Sequence, residues 1–133
     1  ITPEMMDYDS TLASAIYQFD LRTRKLIARY ESQHEAKEFF FGDLILNKAG
    51  DVFVSDSRNK VIFKVNRQTK KLDPYFSSSE FWNIQGIGFS KDETYLYIAD
   101  YIKGIFRLTL TTQELILLPI EAIASIKGVD GLY

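Results

Sequence analysis

Few side chains in this sequence could carry out covalent chemistry. There is one histidine, His34, and no cysteine, which excludes a pair of histidines, disulfides and thiolate metal sites. Residues 77–79 are three serines, but they have no base at a suitable spacing and no nucleophile-elbow context, so they indicate a loop. Gly86 and Gly88 lack the rest of a dinucleotide-binding fingerprint. The remaining candidates are oxygen-bearing and aromatic side chains that could contact a ligand.

Those candidates lie where apolar, alternating stretches begin or end. Asp56 and Asp100 end two such stretches at equivalent positions, which favours a repeated loop cap and leaves ligand contact as the alternative. Trp82, the only tryptophan, lies three residues before Gln85. Its side chain could either line the base of an apolar pocket or pack between neighbouring structural units. The candidates for a ligand pocket are therefore Asp56, Trp82, Asn83, Asp100 and Tyr101.

The elements that must position these residues repeat along the sequence. Residues 42–56 and 85–100 each consist of an apolar run, a polar turn and a second alternating run, the pattern of two antiparallel strands. A second hairpin pattern begins at Ile16, Ile62 and Ile105, so its copies are 46 and 43 residues apart. Four-stranded propeller blades have a period of about 40–50 residues. The sequence therefore predicts an all-β fold, a β-propeller fragment of about three four-stranded blades.

The whole of residues 1–133 is predicted to be a single propeller segment, because no linker or change of composition divides it. We expect the second half of a blade at 14–30, full blades at 42–76 and 85–119, and the first strand of a next blade at 128–133. Closed propellers have about four to eight blades. The remaining blades are therefore expected from the parent chain or from a second chain.

A ligand site is expected at one end of the blades. The turns at 20–23, 66–69 and 109–112 are short, and oxygen-bearing side chains at their two ends can accept backbone N–H bonds. The longer loops, and the residues that precede each inner strand, emerge at the opposite end. Side chains from several blades converge there, so the sequence predicts a small-molecule ligand on this long-loop face.

Composition excludes some partners and leaves the compartment open. The formal net charge of −2 gives no electrostatic reason to expect nucleic acid. No apolar run approaches the roughly 20 residues that a membrane-spanning helix needs. A sequence without cysteine is compatible with a cytoplasmic, a periplasmic or a secreted protein.

Residues 85–100, followed by Gly-Ile-Phe-Arg-Leu at 104–108, resemble the blade signature of the senescence marker protein/gluconolactonase (regucalcin-like) family. The related paraoxonases and strictosidine synthases are also similar, and all of these are six-bladed propellers. The resemblance extends over nearly all of residues 14–133. It implies a six-bladed parent and, in catalytic members, a divalent cation on the axis, usually calcium, held by a Glu and by Asn or Asp residues just before the inner strands.

Carried over position by position, the resemblance gives a partial ligand set. Asp130 matches an acidic metal ligand in its Asp-Gly-Leu context. Gln85 stands where the family carries Asn and is one methylene longer, while Gly42 stands at another Asn position, with the neighbouring Asp43 as a substitute. The Glu of the family lies in a blade that this sequence does not contain, and His34 alone cannot form the paraoxonase type of histidine relay.

Two functions follow from this resemblance. The first is a gluconolactonase-like, divalent-metal-dependent hydrolase of lactones or esters, in which the cation would polarise the carbonyl group and stabilise the oxyanion. The second is a non-catalytic propeller that binds a small molecule, a glycan or a protein on the same face. The fold alone does not choose between them, because propellers have many functions.

Overall fold

A computed structural model describes residues 14–32, 38–119 and 128–132. These residues form strands and turns and no helix, which confirms the predicted all-β class. His34 lies outside the described residues. The strands are β1 (Ala15–Phe19), β2 (Leu26–Ser32), β3 (Phe41–Leu46), β4 (Val52–Asp56), β5 (Val61–Asn66), β6 (Lys71–Ser77), β7 (Ile84–Phe89), β8 (Tyr95–Asp100), β9 (Gly104–Thr109) and β10 (Leu115–Leu117).

The strands form two sheets. The first sheet has the order β1-β2-β6-β5-β4-β3 and curls on itself, and the second sheet has the order β10-β9-β8-β7. Strands β3 to β6 and β7 to β10 are each an antiparallel meander, so both four-stranded units occupy the stretches in which the sequence predicted four strands. Nothing in the described part of the chain is a helix long and apolar enough to cross a lipid bilayer.

Two segments at the margins of these sheets differ from the expected pattern. The β1–β2 hairpin, expected to be half of a separate blade, joins the edge of the first sheet, where β2 pairs with β6 in parallel at Glu31 and Ser32. The free edge of β6 has unpaired backbone groups that attract another strand. Residues 128–132, expected to be a strand, have no strand pairing among the described residues and pack against β7 instead.

The short turns repeat the same backbone geometry. The residues just after them, Arg24, Lys70 and Gln113, have positive φ values of 57°, 56° and 59°. Asp20 accepts a hydrogen bond from the N–H of Thr23 at 2.7 Å, and the side chain of Asn66 accepts equivalent bonds from the turn that follows it. These contacts confirm the predicted side-chain closure of the turns at 20–23 and 66–69, whereas in the turn at 109–112 the backbone carbonyl of Thr109 accepts the N–H of Gln113 at 2.8 Å.

A hydrophobic core fills the space between the two sheets. Phe53 and Ile62 of the first sheet pack against Leu96, Ile98 and Phe106 of the second, and all five are buried. Burying a side chain of this size contributes about 1.5–3 kcal/mol relative to exposure, so this face-to-face contact is a major source of stability. The core therefore fixes the ends of the two sheets next to each other.

Candidate functional site

The carboxylate of Asp56 closes the long-loop end of the first sheet. This residue ends β4 and is fully buried. Its Oδ1 atom accepts hydrogen bonds from the backbone N–H groups of Phe40 and Arg58, both at 3.0 Å, and its Oδ2 atom accepts one from Nδ2 of Asn59 at 2.7 Å. Asp56 thus ties the loop before β3 to the turn after β4.

Asp100 makes the same arrangement at the end of the second sheet. Its Oδ2 atom accepts hydrogen bonds from the backbone N–H groups of Trp82 at 2.6 Å and Asn83 at 3.0 Å, and its Oδ1 atom accepts those of Ile102 and Lys103 at 3.0 Å each. The residue is fully buried, so all its acceptor capacity is directed into the protein. Of the two roles left open for Asp56 and Asp100, the structure shows the capping role.

A cleft of about 460 Å³ lies between these two capped loops. It contains Trp82, Asn83 and Gln85, three of the side chains selected from the sequence. Tyr101 lies outside this cleft, where its carbonyl accepts a hydrogen bond from the N–H of Gly128 at 2.9 Å. The described residues that line it are Phe40, Ser57, Arg58, Lys60, Trp82, Asn83, Gln85 and Ile102.

Aromatic and cationic groups dominate this lining. Trp82 is 62% exposed and Phe40 is 63% exposed, so both rings are accessible to a ligand. The Nζ atom of Lys60 lies 5.5 Å from the centroid of the Trp82 ring, within cation–π distance. Arg58 pairs with Glu38 at 2.5 Å. Sequence reasoning did not select Phe40, Arg58 and Lys60, because their loops carry no motif.

The amide side chains of the cleft are held in place by each other. Nε2 of Gln85 donates a hydrogen bond to Oδ1 of Asn83 at 2.7 Å. Asn83 is positioned in turn by its backbone N–H, which binds the buried carboxylate of Asp100. Both amide side chains are therefore linked, through the backbone of Asn83, to the buried carboxylate of Asp100.

The three metal-ligand candidates do not form a cluster of acids. Asp43 uses both carboxylate oxygens within the protein, accepting from the N–H of Leu44 at 2.8 Å and from that of Ile87 at 3.1 Å. Asp130 is exposed. The part of the chain that the structure describes contains no group of three or more His, Cys, Asp or Glu residues able to hold a metal ion. Calcium takes six to eight oxygen ligands, so these candidates alone do not fit a calcium site.

The equivalent positions before the inner strands nevertheless lie side by side. A Cβ atom added to Gly42 would be 3.0 Å from the Cα atom of Gln85, and one added to Gly86 would be 2.8 Å from the carbonyl oxygen of Asp130. The buried hydroxyl of Ser55 donates a hydrogen bond to the carbonyl of Gln85 at 2.5 Å and joins the two sheets at this point. Successive inner segments are therefore in backbone contact.

No protein-family model matches this sequence, and no curated protein matches it significantly. The resemblance described above therefore depends on the quoted residues alone.

Proposed function

We propose that this chain is a segment of a β-propeller that binds a small molecule in the cleft on its long-loop face. The observation that carries the proposal is the cleft itself, in which two neighbouring sheets bring together exposed aromatic, cationic and amide groups. Binding sites of this kind combine an apolar wall with a few placed polar groups. The binding module is thus favoured over the other functions that the sequence left open.

The stacking of the two sheets supports the propeller part of the proposal. Propellers are built by radial repetition of four-stranded antiparallel sheets. Both sheets carry an irregular register at the start of the inner strand, between Phe41 and Leu44 and between Ile84 and Ile87. Both also end their second strand in a buried, capping Asp. Two consecutive sheets that share a register irregularity and a capping Asp fit such repetition.

The outer face of the second sheet supports the presence of a further blade. Phe53 and Ile62 of the first sheet are covered by the second sheet, while their equivalents Tyr97 and Ile105 line an open apolar cavity of about 320 Å³. The Nε atom of Arg107, on a strand of the same sheet, is buried and has no hydrogen-bond partner among the described residues. A further blade, from the parent chain or from a second chain, would cover the apolar side chains and supply an acceptor.

Calorimetric titration of the folded chain with three probes tests the binding function. The probes are phenylacetate, phenylacetamide and methyl glucoside, which represent an anionic ring, a neutral ring and a neutral saccharide. We expect at least one of them to bind and the Trp82→Ala variant to weaken that binding by about tenfold, because stacking on an aromatic face contributes about 1 kcal/mol or more. The control is Tyr17→Ala, which removes an exposed aromatic side chain outside the cleft. Binding that survives the Trp82 change unaltered would contradict the proposal.

The metal-dependent hydrolase of lactones or esters is the second candidate. The observation that favours it is the backbone contact of the segments carrying positions 42, 85 and 130, because an axial cation needs donors from successive inner strands. The described donors are too few for calcium, so the site would need further oxygens from outside the described residues. Titration with calcium chloride, with Asp130→Ala as the control, tests this candidate. Heat that disappears in the variant would support it, and no heat from the folded protein would remove it.

A further inference from the structure

We propose that the ligand of this cleft is an anion that carries a flat apolar ring, as an aryl carboxylate does. The proposal rests on the binding function proposed above and specifies its chemical class. It depends on Lys60, whose ammonium group lies near the indole ring of Trp82, and on Phe40, the second exposed aromatic side chain of the described lining.

Among the residues that the structure describes, the charged side chains in the lining of the cleft are both cationic. They are Arg58 and Lys60, and no carboxylate belongs to the described part of the lining. The nearby Asp56 and Asp100 are fully buried and bound to backbone N–H groups. Glu38 pairs with Arg58, but both side chains are about half exposed, and such surface pairs are weak. The two lining cations therefore offer positions at which an anion could bind.

Lys60 is the cation best placed to bind one. Among the described residues it forms no ion pair with a carboxylate, and its Nζ atom lies 5.5 Å from the Trp82 ring centroid. A cation–π contact leaves most of the hydrogen-bonding capacity of the ammonium group unused, because the ring offers no lone pair. An anion seated at the edge of Trp82 could therefore accept hydrogen bonds from the Lys60 ammonium group.

The turn that presents Lys60 differs from its counterpart in the second sheet. Four residues lie between the paired residues Asp56 and Val61, whereas three lie between Asp100 and Gly104. Lys60 has a φ of 58°, a left-handed conformation that costs a residue with a side chain about 1 kcal/mol. In the shorter turn, Lys103 pairs with Glu80 at 3.5 Å instead of approaching the cleft. The cationic wall is thus particular to the first sheet.

The apolar wall sets the shape of the ligand. Phe40, Trp82 and Ile102 are all exposed and belong to the same cleft. Aromatic rings pair in stacked or edge-to-face arrangements that contribute about 0.5–1.5 kcal/mol beyond area burial. A flat ring with an acidic group can contact this apolar wall and the Lys60 ammonium group at the same time. A linear anion lacks the ring, and a neutral ring lacks the charge.

Tryptophan fluorescence provides the test, because Trp82 is the only tryptophan of the chain. The full chain is titrated with phenylacetate, phenylacetamide and methyl glucoside. We expect phenylacetate to bind about tenfold more tightly than phenylacetamide. The Lys60→Gln variant should lose this preference, because it lacks the ammonium group that distinguishes the acid from the amide. The matched control is Lys103→Gln, which removes an equivalent charge outside the cleft, and circular dichroism shows that each variant is folded.

The outcomes separate this proposal from the function on which it rests. Equal affinity for phenylacetate and phenylacetamide, or an equal loss in Lys60→Gln and Lys103→Gln, would overturn the anion assignment. Binding of methyl glucoside alone would overturn the ligand class and leave a small-molecule binding function in place. No binding of any probe to the folded chain would overturn both.

Discussion

Replacing Asp100 by asparagine is expected to destabilise the fold and to release the loop that carries Trp82. Each carboxylate oxygen accepts two backbone N–H groups, Oδ2 from Trp82 and Asn83 and Oδ1 from Ile102 and Lys103. An asparagine side chain has only one such oxygen. Whichever way its amide is turned, the NH2 group faces two N–H donors, so two hydrogen bonds are lost and their donors remain buried.

The magnitude follows from the number of bonds. A hydrogen bond to a charged group contributes about 1.5–3 kcal/mol, so the loss of two costs at least about 3 kcal/mol. We take the lower end, because the loop can move and expose part of its backbone to water. For a domain of this size, such a change lowers the melting temperature by about 10 °C.

Urea unfolding followed by circular dichroism measures this effect. The matched control is Asp73→Asn at an exposed carboxylate, which accepts a hydrogen bond from Asn66 at 2.9 Å. That change should alter the free energy of unfolding by about 0.5 kcal/mol or less. Trp82 fluorescence should shift to longer wavelength in the Asp100 variant only. Equal destabilisation by the two changes would refute the capping role of Asp100.

Two further predictions concern the backbone contact between segments and the acid sensitivity of a turn. A Cβ atom at Gly86 would lie 2.7 Å from the Cα atom of Gly131, so Gly86→Ala should lower the free energy of unfolding in urea by about 1–3 kcal/mol. The control Gly88→Ala, whose Cβ atom would meet a side chain at 3.4 Å, should lower it less. The reverse order would contradict the packing. Hydrogen bonds from the Ser90 and Thr94 hydroxyls lower the pKa of Asp92 to about 2, so this carboxylate stabilises the fold above about pH 4 and the stabilisation is lost as the pH falls to about 2. The Asp92→Asn variant should therefore show a smaller decrease in unfolding free energy over that range, and equal pH profiles would contradict the assignment.

The all-β class and the repeating turns could be predicted from the sequence because they depend on local patterns. The alternation of apolar residues determines which face of a strand is buried. Oxygen-bearing residues such as Asp20 and Asn66 close the short turns through contacts within a few residues. Asp56 and Asp100 were found in the same way, since their equivalent positions at strand ends indicated a shared role.

The rest depends on contacts between distant segments. The pairing of β2 with β6 joins residues about 40 positions apart, and neither strand carries a signal for the other. Lys60 was not selected, because a lysine in a turn is ordinarily a solvated charge and only its position over Trp82 distinguishes it. The end of the sheets at which the cleft lies could therefore be predicted from the sequence. The chemistry of its lining could not.

Nuclear magnetic resonance mapping of phenylacetate on the folded chain tests the central claim, a ligand site on the long-loop face, most directly. We predict that the amide resonances that shift on titration belong to the residues lining the cleft, together with the indole N–H of Trp82. Resonances of the short turns at the opposite end, including Arg24, Lys70 and Gln113, should remain unchanged. Shifts confined to those short turns would contradict the account.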